Sequence, residues 1–166
     1  MAESLTQLGH AVGELLKKRG ETLAVAESSA GGLINAALVA VPGASAYYRG
    51  GVIVYTRPGR TALLGITKEE TGGIRSASEP WAKLLAARVR ENLGATWGLA
   101  ETGAAGPTGN AYGDPAGHAC FAVSGPVEAV ITFKTWSADR EANMWAFARR
   151  ALVLLEGCLV DGNKKK

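Results

Sequence analysis

Apolar positions along this chain recur in two rhythms, one helical and one extended, and their succession predicts a layered α/β domain. Leu5, Leu8, Val12, Leu15 and Leu16 fall at helical spacing, with Lys17, Lys18 and Arg19 suiting the C-terminal dipole and Gly20 as the stop. Residues 23–26 predict a short buried strand. Residues 31–41 predict a helix with Leu33, Ile34, Ala37, Leu38 and Val41 on one side, ended by Pro42-Gly43. The β-branched run Val52-Ile53-Val54 marks a second strand over residues 47–55. Residues 60–64 and 67–71 predict no more than a turn or two of helix each. Ser78-Glu79-Pro80 is a helix N-terminal signature, and Trp81, Leu84, Leu85, Arg88 and Val89 carry that helix to about Leu93.

Residues 97–102 predict a third strand, and the glycine-rich stretch 103–115 a long loop of the kind that usually serves function. Residues 118–123 and 127–136 alternate about Ser124-Gly125-Pro126, an antiparallel hairpin. A last helix is expected over 139–159, capped by Ser137, with Ala142, Trp145, Ala148, Leu152, Leu155 and Leu159 toward the core. The order αβαβαβββα implies a three-layer α/β/α sandwich around a mixed, mostly parallel sheet of about five strands. No repeat or linker interrupts it, so residues 1–160 read as a single domain and 161–166 as a basic tail expected to be disordered.

Composition narrows the function classes. At 166 residues, 47% apolar and 20% charged, the chain suits one core. Part of its net charge of +3 sits in Lys164-Lys165-Lys166, and no basic stripe interleaves with aromatics, so nucleic acid is not an expected partner. Cys120 and Cys158, in a predicted strand and a predicted helix, read as buried fillers, which fits a reducing cytoplasm. Neither an apolar leader nor an eighteen-residue apolar run is seen, so secretion and a membrane partner are not expected.

Candidate chemistry is reached by elimination. The histidines, His10 and His118, fall on a helix and in a strand and read as structural. H-x-x-x-H and C-x-x-C spacings are missing, so no zinc site is expected, and Walker and G-x-G-x-x-G sequences are missing too. Hydroxyl- and glycine-bearing loops remain: Glu27-Ser28-Ser29-Ala30-Gly31-Gly32, Gly43-Ala44-Ser45-Ala46-Tyr47 and Thr102-Gly103-Ala104-Ala105-Gly106-Pro107. The first is a strand-to-helix junction, where free N–H groups would favour a phosphate or carboxylate. Each residue also has a plainer reading: Ser28 or Ser29 as a helix cap, Ser45 as a turn former, Tyr55 as a packed strand end. Arg140, at the start of the last helix, is disfavoured by the dipole and so is expected to face a phosphate or carboxylate.

These segments, with Ser78-Glu79-Pro80 and Asp139-Arg140, resemble the CinA C-terminal domain family, which includes nicotinamide mononucleotide deamidases, over about residues 5–159. The resemblance implies a metal-independent serine amidohydrolase with no cofactor, converting nicotinamide mononucleotide and water to nicotinic acid mononucleotide and ammonia. It implies Ser45 as nucleophile, Tyr55, Thr102 and Arg140 around the pocket, and Ser28 as a further site serine. Gly31, Gly32, Gly103 and Gly106 are then expected as backbone lying against the substrate.

Arg60 stands where the deamidases carry their dyad lysine, and a guanidinium binds but does not abstract a proton. Ser29-Ala30 and Asp114 also depart from the family pattern. Three readings stay open: an amidohydrolase with a different base, a mononucleotide-binding member with little or no catalysis, and an amidase of altered substrate. A homo-oligomer, dimer or trimer, is expected.

Overall fold

The computed structural model describes residues 4–162, so the lysine tail lies outside the described residues. Helix α1 (Leu5–Arg19) begins in a capping box, with Ser4 and Gln7 each satisfying the other's backbone N–H, and ends at Gly20 in the left-handed conformation. Strand β1 (Leu23–Glu27) leads through the glycine turn to α2 (Leu33–Val39). A 3-10 turn (Ala44–Ala46) precedes β2 (Tyr48–Ile53), followed by α3 (Arg57–Leu64) and α4 (Glu79–Asn92). Then come β3 (Trp97–Ala104), β4 (His118–Ser124), β5 (Ala129–Lys134) and α5 (Arg140–Gly162).

The five strands form one sheet in the order β2-β1-β3-β4-β5. Strand β1 pairs parallel with β2 and β3, while β4 pairs antiparallel with β3 and β5. Four strands therefore share one direction and β4 alone runs against them, as the hairpin pattern predicts. The C-terminal ends of β1, β2, β3 and β5 meet at one edge of the sheet, where open α/β sheets bind ligands.

The two faces are packed differently. Helices α1, α2 and α5 cover one face with a core of large side chains, among them Leu8, Leu16, Ile34, Leu38, Trp97, Phe121, Phe147 and Leu152. Helix α4 covers the other over a floor of Ala24, Ala26, Ala100, Cys120 and Ala122. Small residues let α4 approach closely: a Cβ on Gly98 would lie 2.1 Å from the Ala86 carbonyl oxygen. Both cysteines are buried.

Several predicted boundaries shift. Helix α2 starts two residues later than the pattern suggests because Gly32, at φ 102°, cannot be helical. Helix α5 is capped not by Ser137 but by Asp139, whose carboxylate accepts the Ala142 N–H at 3.0 Å; Ser137 Oγ accepts the Asp139 N–H instead. Ala142 and Trp145 are exposed, and Asn143, Phe147 and Ala151 take the inner face above Leu152 and Leu155. Residues 67–71 form turns only, whereas α3 begins earlier than predicted, with Thr56 as its cap and Pro58 in its first turn. Among the described residues no helix is long and apolar enough to cross a membrane.

Candidate functional site

The glycine turn after β1 is held from inside by two buried carboxylates. Glu101 of β3 accepts the N–H groups of Ser28 at 2.9 Å and Ala30 at 2.8 Å, and the Ser29 hydroxyl. Glu27 accepts the Ile34 N–H at 2.5 Å and the Asn35 amide at 2.8 Å, and Asn35 in turn accepts the Tyr48 hydroxyl. Burial pushes the Glu27 carboxyl up to about 7, offset in part by the bonds from Asn35 and Ile34. Burial likewise raises Glu101, against the pull of Ser29, Ala30 and Ser28.

This corrects the expectation that the turn is an open anion cradle. The donors at Ser28, Ala30 and Ile34 already have carboxyl partners, so the acceptors that these N–H groups need are supplied by the chain itself. Ser28 and Ser29 do not cap α2 either, because Gly32 occupies the cap position and makes no side-chain cap bond. Gly31 and Gly32 serve the bend, and a Cβ on Gly31 would meet the Met144 methyl at 2.8 Å.

On the α5 side of the same edge, three predicted residues come together. Arg140 donates to the Tyr55 hydroxyl at 2.8 Å and to the Gly106 carbonyl at 2.6 Å. Within the chain, the partners of Arg140 are a phenol and a carbonyl. Because Tyr55 accepts from the guanidinium, its own O–H proton is left to donate. Tyr55 is 56% exposed, so that donor faces solvent at the rim.

Thr102 lies in β3 as predicted, and Gly103 extends that strand instead of opening the loop; they pair with Cys120 and Ala119 of β4. Thr102 is buried, and its hydroxyl accepts the Ala77 N–H at 3.3 Å. Ala77 sits at φ 54°, a conformation that costs a non-glycine residue, and is clamped on its other side by His118 Nε2, 2.8 Å from its carbonyl. Thr102 is therefore a positioning residue under the site, and His118 holds the other side of the same Ala77 peptide.

Arg60 and Ser45 are not with Tyr55. Arg60 lies toward α4, stacked on Trp81 with 4.7 Å from its guanidinium carbon to the ring centroid. It lines a cleft of about 270 Å³ with Arg57, Lys68, Thr71, Ser76 and Tyr112. Ser45 is exposed in the 3-10 turn before β2. A residue just before a strand and one just after it lie at opposite ends of the sheet, and the six residues of β2 put about 20 Å between them. Within one chain Ser45 does not reach Tyr55, Arg60 or Arg140.

Sequence reasoning missed Glu101, whose only signal was a charge at an otherwise apolar strand centre. It also missed Arg57 and Lys68, which are two cations without a motif. Asp114, noted only as a departure, pairs with Arg75 at 2.6 Å and with Asn110 at 2.8 Å, pinning the loop over the cleft's rim.

Fold and site together define a small α/β sandwich domain with a polar site at the C-terminal sheet edge, built from loops after separate strands. The chain belongs to the CinA C-terminal domain family, whose model matches residues 5–159. It is 41% identical over 127 residues to a CinA-like protein of a Nostoc species, spanning 76% of this chain and 30% of that one. A CinA-like protein of Acidobacterium capsulatum is 39% identical over 137 residues, spanning 82% of this chain and 33% of the relative. The chain thus matches about a third of the length of these curated relatives. Among solved structures, a CinA superfamily protein of Klebsiella pneumoniae superposes with a TM-score of 0.88 at 28% identity, covering 96% of this chain and 99% of the other. The competence/damage inducible protein CihA of Agrobacterium tumefaciens superposes at 0.82 and 26% identity, covering 98% and 99%.

Proposed function

We propose that this chain is a nicotinamide mononucleotide amidohydrolase of the CinA family, releasing nicotinic acid mononucleotide and ammonia by a serine mechanism without a metal. The observation that carries the reading is the Arg140 guanidinium fixing Tyr55 and Gly106 at the rim, which leaves a phenolic proton to meet a carboxamide oxygen as it gains charge. Ser45 Oγ attacks the carboxamide carbon, its proton passes to the departing ammonia, and water then cleaves the resulting ester to the acid. Arg60 is not the base in this scheme, since a guanidinium keeps its proton.

The reading requires a homo-oligomer. Ser45 of one copy must meet the Tyr55 and Arg140 of another, because the length of β2 separates them within one chain. A second reading, a mononucleotide-binding protein without turnover, is favoured by the stacking of Arg60 on Trp81, which makes it a binding group.

The test is to incubate the chain with nicotinamide mononucleotide and measure ammonia and the acid mononucleotide beside Ser45→Ala. Turnover abolished by the variant is expected, and mixing Ser45→Ala with Arg140→Ala copies should restore part of it. No turnover above Ser45→Ala overturns hydrolysis. Calorimetric binding that persists in that case selects the second reading.

A further inference from the structure

We infer that the cleft between α3, the segment after it and Tyr112 binds the phosphate of a small phosphomonoester. Arg57, Arg60 and Lys68 line it, and none of its lining residues is an acid. Two neighbouring carboxylates are committed elsewhere, Glu70 to Arg88 and the Thr67 N–H and Asp114 to Arg75 and Asn110. Among the described residues no carboxylate forms an ion pair with Arg57, Arg60 or Lys68. Burial lowers the Arg60 guanidinium from its ordinary value, and the adjacent Arg57 lowers it further. Both arginines also stand in the first turn of α3, at the helix end that repels cations.

Two adversely placed arginines and a lysine around one concavity make sense if an anion completes it. Planar guanidinium groups and a lysine suit a tetrahedral dianion, and the hydroxyls of Thr71 and Ser76 add neutral partners. The Trp81 and Tyr112 rings give the cleft an aromatic wall against which the organic part of a ligand can lie. Its volume of about 270 Å³ is at the small end for ligand pockets, which favours a monoester over a dinucleotide. The inference does not depend on an amide being cut.

Ribose 5-phosphate, which has no amide, is titrated calorimetrically into the full chain and into Arg57→Ala, Lys68→Ala and, as a distant control, Lys18→Glu. Binding should weaken about tenfold or more in each cleft variant and hold in the control. Tryptophan fluorescence should change on binding and lose that change in Trp81→Phe. No binding at millimolar concentration, or equal weakening in the control, overturns the site. Since Lys68 is exposed in a turn region, its variant keeps the test valid should Arg57→Ala fold poorly. Competition then names the source of the phosphate. If nicotinamide mononucleotide displaces ribose 5-phosphate and nicotinamide riboside does not, the cleft holds the substrate's own phosphate. If neither displaces it, the cleft takes a separate phosphorylated ligand; both outcomes uphold the site, and neither depends on turnover.

Discussion

The glycine turn and the cleft beside α3 are opposites in how their charge is balanced. At the turn, backbone donors that invite an anion are answered by Glu27 and Glu101 of the same chain. In the cleft, Arg57, Arg60 and Lys68 have no acid among the lining residues. A region that satisfies itself contributes stability, whereas one left unbalanced is poised for something outside the chain. A motif suggestive of ligand binding is thus filled from within, and a cluster without a motif is the one left open.

The comparison breaks first at Glu101. Replacing it by Ala leaves the Ser28 and Ala30 N–H groups and the Ser29 hydroxyl buried without their partner, at an expected cost of about 3 to 5 kcal/mol in urea denaturation. A loss below about 1 kcal/mol would mean that the turn does not depend on this carboxylate.

Next in size is a pH effect from Glu27. Its carboxyl is raised from 4.5 to about 7 in the fold, so the native state holds the proton more tightly than the unfolded chain. The stabilisation is fully present below about pH 4.5 and is lost as pH rises through about 7, on the order of 3 kcal/mol at most. Unfolding midpoints measured across that window should fall with rising pH, and Glu27→Gln should flatten the slope. A slope that survives the substitution would assign the titration to another group, such as Glu101, whose shift has the same sign.

The smallest effect belongs to the cleft. Arg57→Ala removes a repulsion and an adverse helix-end charge, so stability should stay within about 0.5 kcal/mol or rise, even as phosphate binding falls. A clear destabilisation would show that Arg57 is a structural residue, and the contrast between the two regions would narrow.

Much of the fold was legible because it rests on local periodicity. The helical rhythm of Leu5 to Leu16, the β-branched run in β2 and the alternation of the hairpin each name their element, and the order αβαβαβββα selects the sandwich. The last helix was misread by its N-terminal turn, where Ala142 and Trp145 compete with Asn143 and Phe147, and only packing against β3 and β4 chooses. At the site, Tyr55, Gly106 and Arg140 carried signals that the structure brings together, while the length of β2 keeps Ser45 of the same chain apart from them.

What the sequence by itself determined is therefore the set of elements, their order and the family, since propensity, caps and turn residues act over a few neighbours. What only the tertiary structure decided is which charges meet. Glu101 lies 71 to 73 residues from the donors it holds, and Arg140 lies 85 from Tyr55. Coulombic and hydrogen-bond partnerships depend on distance in space, which the sheet order alone sets, so neither the filled turn nor the unbalanced cleft could be read from neighbours along the chain.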